Sequence, residues 1–248
     1  MTFKQTFFLL LSTFLLNAKE PLLFYCGVTM VPPMKKIAKR YAQIYDRNIT
    51  IIQGGSGEIY QTLTLNHNGD LYLPGNPRYI TETHVPGLFP YQQNIGSMCL
   101  TLFTRPGNPF KIEGLHDLLR RDLRIGIGSP GIGSIGKTTQ KMLKRFDGIP
   151  FVRSVGLNAL YFAVDSRDLN QLFLSGKIDT GITWKPALQA LIRSGDVSLV
   201  PLGSAKQKTP LRIAVVRYAQ HPDAAKAFIE LIQSNTGQAI LQEAGFDF

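Results

Sequence analysis

Three times in this chain a run of strand-forming apolar residues ends in glycine, passes a hydroxyl residue and enters a segment of helical spacing. "LLFYC" leads through Gly27 and Val28 to Thr29, "ITIIQ" through Gly54 and Gly55 to Ser56, and "RIGIG" through Ser129 to Gly136. Strand, tight turn and helix in that order are the repeating unit of a mostly parallel sheet, because parallel neighbours need a crossover and a helix supplies it. At each junction glycine removes the side chain that would keep a ligand off the backbone. The hydroxyl caps the helix or donates to an oxygen, and the first-turn N–H groups have no partner inside the helix. In open α/β sheets such helix starts collect at the carboxyl edge of the strands, where they attract anions.

The third junction contains "GIGSIGKT", Gly131 to Thr138, which fits G-x-x-x-x-G-K-[ST], the spacing of a loop that wraps nucleotide phosphates. Its surroundings fit as well, with the strand "LRIGIG" before it and the helix "KTTQKMLKRF" (Lys137 to Phe146) after it. Two features argue against an NTPase. A nucleotide-hydrolysing core opens with this loop on its first strand, and here half the chain precedes it. The chain also begins as an export signal: Lys4, an apolar run from Phe7 to Leu16 and Ala18 at a plausible cleavage point. That run is far short of the roughly 20 residues a permanent anchor needs. Cys26 follows the bulky pair Phe24 and Tyr25, which is not the setting of a lipid-attachment cysteine. The expectation is a soluble periplasmic protein, cleaved near Ala18, with no ATP pool to draw on.

The net charge of +10 would suit an acidic partner, but the basic residues are dispersed. Lys35, Lys36, Lys39 and Arg40 share a helix whose other face holds Met34, Ile37, Ala38, Tyr41, Ile44 and Tyr45, and Arg120, Arg121 and Arg124 lie elsewhere. These read as solvated helix faces, so a nucleic-acid partner is not expected. The four histidines have no metal-ligand spacing. Cys26 and Cys99 fit one disulfide or two buried thiols equally. No G-x-S-x-G elbow and no H-E-x-x-H occurs, so no catalytic set is assigned.

The apolar runs divide into two α/β sets. "LLFYCG", "NITIIQ" and "GDLYLPG" form the first; "LRIGIGS", "ALYFAVDS" and "DTGITW" form the second. The long strands "GSMCLTLFTRPGNP" and "TPLRIAVVR" lie where the chain crosses between them, and two helices, "HPDAAKAFIELIQS" and "TGQAILQEAGF", finish it. This predicts two lobes hinged around a cleft, built from 19–97 with 211–248 and from 98–210, after a signal peptide over 1–18.

"LLFYCGVTMVPPMKKIAKRYAQIYDRNITIIQGGSGEIYQ" resembles the start of the periplasmic molybdate-binding proteins of ABC importers, with a hydroxyl turn after strand one and G-G-S-G after strand two. "GDLYLPG" is similar to their third strand, "SGKIDTGITW" to their G-x-x-D-x-G segment, and "AVVRYAQHPDAAKAFIELIQSNTGQAILQEAGF" to their ending. The resemblance implies a type II periplasmic binding fold that holds a tetrahedral oxyanion by neutral donors. It places hydroxyl contacts on Thr29, where the family has Ser, and on Ser56, with Gly57 completing that turn. The second-lobe turn falls on Ser134, Ile135 and Gly136, the contact being the Ile135 amide. A further amide contact falls on Ser166, and the family's tyrosine donor falls on Trp184. It also implies a monomer without cofactor, metal only as the centre of the anion, and a membrane permease as partner. Trp184 for Tyr, Ser134 for Pro, and nearby Lys137 and Arg167 are departures that leave the anion open. The alternatives are a protein of the same fold for phosphate, sulfate or an organic anion, or a P-loop NTPase. Positive contacts from Lys137, Arg153 or Arg167 in the cleft would favour an organic anion.

Overall fold

Glycine and proline punctuation sets the elements. In the structure, a computed structural model describing residues 19–206 and 208–248, strand β1 (Leu22–Gly27) ends at Gly27, a short 3-10 turn follows, and α1 (Val31–Tyr45) opens with Pro32 and Pro33 in its first turn. Proline is tolerated there because the missing N–H has no partner to lose. Met34, Ile37, Ala38 and Tyr41 are buried, and the four basic residues face solvent as expected. Ile44 and Tyr45, expected on the buried face, are exposed at 50% and 39%, and Tyr45 stacks on Tyr41. The proposed signal segment, 1–18, lies outside the described residues.

The first set continues with β2 (Ile49–Gly54), α2 (Ser56–Asn66), β3 (Leu71–Leu73) and the single turn α3 (Arg78–Thr81). Strand β4 (Tyr91–Thr104) begins five residues before the apolar run quoted for it. The second set is β5 (Ile125–Gly128), α4 (Gly133–Asn158), β6 (Ala159–Ala163), α5 (Ser166–Leu174), β7 (Thr180–Trp184), α6 (Gln189–Ser194) and β8 (Ser198–Val200). Strand β9 (Lys208–Val215) returns the chain to the first lobe, where α7 (Pro222–Gln233) and α8 (Asn235–Glu243) pack. The helix expected over Lys137 to Phe146 is longer at both ends. It is two segments broken at Asp147 and Gly148, where Gly148 takes φ 77° and Pro150 starts the second segment.

The strands order as β2-β1-β3-β9-β4-β7-β5-β6, with β8 also paired to β4. β1 is parallel to β2 and β3, and β5 is parallel to β6 and β7. Between these blocks run the antiparallel strands β4 and β9. Tyr91 to Cys99 of β4 pair with β9, and Leu100 to Thr104 pair with β7. One 14-residue strand thus belongs to both lobes. The C-terminal tail is tied to the same crossing, since Ser97 N–H donates to the Asp247 carbonyl at 2.6 Å and Asp247 N–H to that of Ser97 at 2.9 Å. The fold is the mixed α/β, two-lobed, type II periplasmic-binding architecture.

Apolar burial holds each lobe. The larger core runs from Phe24 and Met34 through Leu102 and Phe103 to Ile182 and Phe173; a smaller one, with Tyr25, Leu63, Tyr72 and Phe89, lies on the other face of the first sheet. Cys26 and Cys99 are both buried and free, which decides the open question between thiols and a disulfide. Among the described residues no helix is long and apolar enough to cross a membrane.

Candidate functional site

The carboxyl ends of the parallel strands converge on one hollow between the lobes. Gly27, Thr29, Gly54, Gly55, Ser56 and Gly75 line it from the first lobe; Gly133, Ser134, Ile135, Asp165, Ser166 and Trp184 line it from the second. The structure therefore brings Thr29, Ser56, Ser134, Ile135, Ser166 and Trp184 together, from five separate stretches of sequence.

The lobes touch here. Thr29 Oγ1 and Ser166 Oγ lie 2.9 Å apart, with either able to donate. Ser56, 3% exposed, accepts a hydrogen bond at its Oγ from the Gly75 N–H at 2.9 Å, which leaves its own proton free for the hollow. Below it, Tyr72 donates to the Ser56 carbonyl at 3.0 Å, and burial drives the Tyr72 hydroxyl well above the ordinary tyrosine range, so it stays a donor. Gly75 was not singled out from the sequence. A Cβ there would sit 2.6 Å from Ser134 Oγ and 3.4 Å from Ser56 Oγ, so a side chain at this position would force the Ser134 hydroxyl to turn away.

Helix starts supply the remaining donors. α2 begins at Ser56, α4 at Gly133 and α5 at Ser166, and the first-turn amides of each have no intrahelical acceptor. On α5 the Asp165 carboxylate caps two of these, accepting from Arg167 N–H at 2.8 Å and Asp168 N–H at 3.1 Å, and the Ser166 amide is left over. The Arg167 guanidinium also turns to Asp165, at 2.9 Å, and does not line the hollow. Lys137 is likewise outside it: its Nζ donates to the Tyr79 hydroxyl at 3.2 Å. Among the described residues no lysine, arginine or histidine lines the hollow.

Two expected contacts lie behind the lining. Gly136 is required for packing: a Cβ there would overlap the Ser129 carbonyl oxygen, so α4 lies against the end of β5 only because this residue has no side chain. Gly57 sits one residue into α2, its Cβ position 3.3 Å from the Tyr79 hydroxyl. The phosphate-loop reading also fails on geometry. Gly133 takes φ 65° and from Ser134 onward the backbone is already helical, so "SIGK" coils into the helix and does not wrap a phosphate chain, and its lysine donates to the Tyr79 hydroxyl.

The hollow measures about 20 Å³ as room for the centre of a water-sized sphere. One water needs about 10–15 Å³ on that measure, and adding back a radius of ~1.4 Å gives an enclosure of about 3 Å radius, the outer size of one tetrahedral oxyanion.

A small polar hollow clasped between two α/β lobes on shared crossing strands defines the class: a solute-binding protein. The chain belongs to the family of bacterial extracellular solute-binding proteins, whose pattern it matches over residues 22–247. It is 24% identical over 241 residues to a "Putative binding protein" of Haemophilus influenzae, covering 96% of this chain and 95% of that one. It is 22% identical over 201 residues to "Molybdate-binding protein ModA" of Mycobacterium tuberculosis, covering 80% and 73%. Its fold is similar to that of "The sulfate-binding protein SubI from Mycobacterium tuberculosis H37Rv", with a TM-score of 0.77, 19% identity and coverage of 92% and 86%.

Proposed function

We propose that this protein captures a bare tetrahedral dianion of the molybdate, tungstate or sulfate kind and delivers it to the membrane permease of an ABC importer, acting as a monomer in the periplasm. One observation carries the reading: a hollow sized for a single oxyanion, furnished by hydroxyls and helix-start amides of both lobes and, among the described residues, by no cationic side chain. Fixed dipoles replace water around the anion without an ion pair, whose desolvation would offset much of its attraction. Thr29, Ser56 and Ser134 contribute hydroxyls, Ile135 and Ser166 contribute amides, and Trp184 contributes the aromatic wall. The likeness to ModA and SubI supports the oxyanion class, and the size of the hollow weighs against an organic anion.

The cycle follows from the topology. The anion meets the Thr29 and Ser56 donors of one lobe, and rotation about β4 and β9 then brings the helix starts of α4 and α5 onto it. In this reading the lobes divide as 19–97 with 211–248 and 98–210. Calorimetric titration with molybdate, tungstate, sulfate, phosphate and citrate tests the proposal. One bare oxyanion should bind best, citrate should not bind, and the Thr29→Val, Ser56→Ala double variant should lose the preferred ion. Preference for citrate, or undiminished binding by the variant, would overturn it.

A further inference from the structure

Beside the hollow, a groove of about 820 Å³ runs between the lobes. Asn76 on its wall directly follows Gly75, and Lys137 stands two residues beyond Ile135, so the two spaces are neighbours along both segments. Arg78 and Tyr79 come from the first lobe, Lys137, Lys141, Lys144 and Arg153 from α4 of the second, and Lys208 from β9. Among the described residues a single carboxylate, Glu82, lines it, and that group is engaged by Arg78 at 3.1 Å.

The charge here differs from a solvated helix face. Lys137, Lys141 and Lys144 follow the i, i+4, i+7 spacing, which stacks them on one stripe of α4, and like charges so placed repel. None of them, nor Arg153, has a carboxylate within ion-pair distance among the described residues. The stripe faces into a concave space whose opposite wall carries Tyr60 and Tyr79, with Lys137 5.2 Å from the centre of the Tyr79 ring. Concavity focuses the field of such a cluster, and the volume lies in the range of small-molecule sites.

We propose that this groove is a second anion site, taking a small soluble molecule with several phosphate or carboxylate groups. Because its walls belong to both lobes, such a ligand binds the closed arrangement more tightly than the open one. By reciprocity it then strengthens binding in the hollow, and the ion in the hollow strengthens it.

Inorganic tripolyphosphate is a suitable probe, titrated by calorimetry into the protein alone, into protein saturated with its preferred oxyanion, and into variants. The expected result is one bound tripolyphosphate, weakened as ionic strength rises and weakened about ten-fold or more by Lys141→Glu with Lys144→Glu. The Thr29→Val, Ser56→Ala variant should still bind it, so this test stays readable even if the hollow takes no oxyanion. Melting curves check that each variant is folded, and Arg153→Gln gives a second, milder perturbation that should weaken binding in the same direction. Binding that ignores these charge changes, or that disappears when the hollow is filled or disabled, would overturn the proposal. So would binding to phosphatidylglycerol vesicles without binding to tripolyphosphate, which would make the stripe a membrane-facing surface.

Discussion

Replacing Ser56 with alanine separates the two tasks the structure gives its hydroxyl. The oxygen accepts from the buried Gly75 amide at 2.9 Å, and the proton is left to donate into the hollow. Loss of a hydrogen bond to a charged ligand costs about 1.5–3 kcal/mol, so the dissociation constant should rise about 10- to 150-fold. Loss of the acceptor strands the Gly75 N–H, which costs a further ~1–3 kcal/mol of stability. For a chain of this size that lowers the melting temperature by about 2–12 °C. Calorimetry with the preferred oxyanion gives the first number and a thermal melt without ligand gives the second. A melting temperature that falls while affinity stays within about two-fold would refute the donor role. It would leave Ser56 as a prop for the Gly75 loop.

The neighbouring glycines should respond very differently to alanine. Gly136→Ala places its Cβ into the Ser129 carbonyl, a backbone atom that cannot swing away, and should lose about 3 kcal/mol or more in a urea titration, whereas Gly57→Ala meets only a movable Tyr79 hydroxyl at 3.3 Å. Equal midpoints for the two variants would contradict the packing argument. Asp179 is buried, which works against its charge, but the Arg124 guanidinium and backbone N–H outweigh this and hold its carboxyl below the ordinary range. A depressed folded value adds stability above the unfolded pKa and forfeits it as pH falls through the folded one. Thermal stability should therefore drop below about pH 4, and Asp179→Asn should flatten that drop; an unchanged slope would remove Asp179 as its source. Burial raises both the Cys26 and the Cys99 thiol above the ordinary range. Two thiols should accordingly react with a disulfide reagent only after unfolding, and a count of zero in denaturant without reductant would reveal a bond.

Much of this site was legible because its chemistry is local. Gly-Val-Thr after β1, Gly-Gly-Ser after β2 and the glycine-rich turn after β5 each declare a bare helix start within a few residues, and the alternation of strand and helix places all three on one sheet edge. Gly75 is not legible as a site residue in the sequence, since its importance depends on β3 lying between β1 and β9 and on Ser134 arriving from the other lobe. Arg167 and Lys137 looked able to enter the cleft because sequence distance to Ser166 and Ile135 is short. Arg167 is held by Asp165, and Lys137 turns to Tyr79 in the groove beside the hollow, choices of partner that spacing does not encode. The sequence reading stops this helix at Phe146 and does not anticipate the second segment of α4 after the break at Asp147 and Gly148. The basic groove illustrates the same limit: Lys137, Lys141 and Lys144 share a helix stripe by spacing, but the concave space they face appears only when the opposite wall is seen.

Diffraction from crystals grown with tungstate tests the central claim most directly, because the metal's anomalous signal marks the anion without ambiguity. The account predicts one strong peak between Thr29 Oγ1, Ser56 Oγ and the amides of Ile135 and Ser166, within hydrogen-bonding reach of both lobes. A peak among Lys141, Lys144 and Arg153, with nothing between the two hydroxyls, would contradict it.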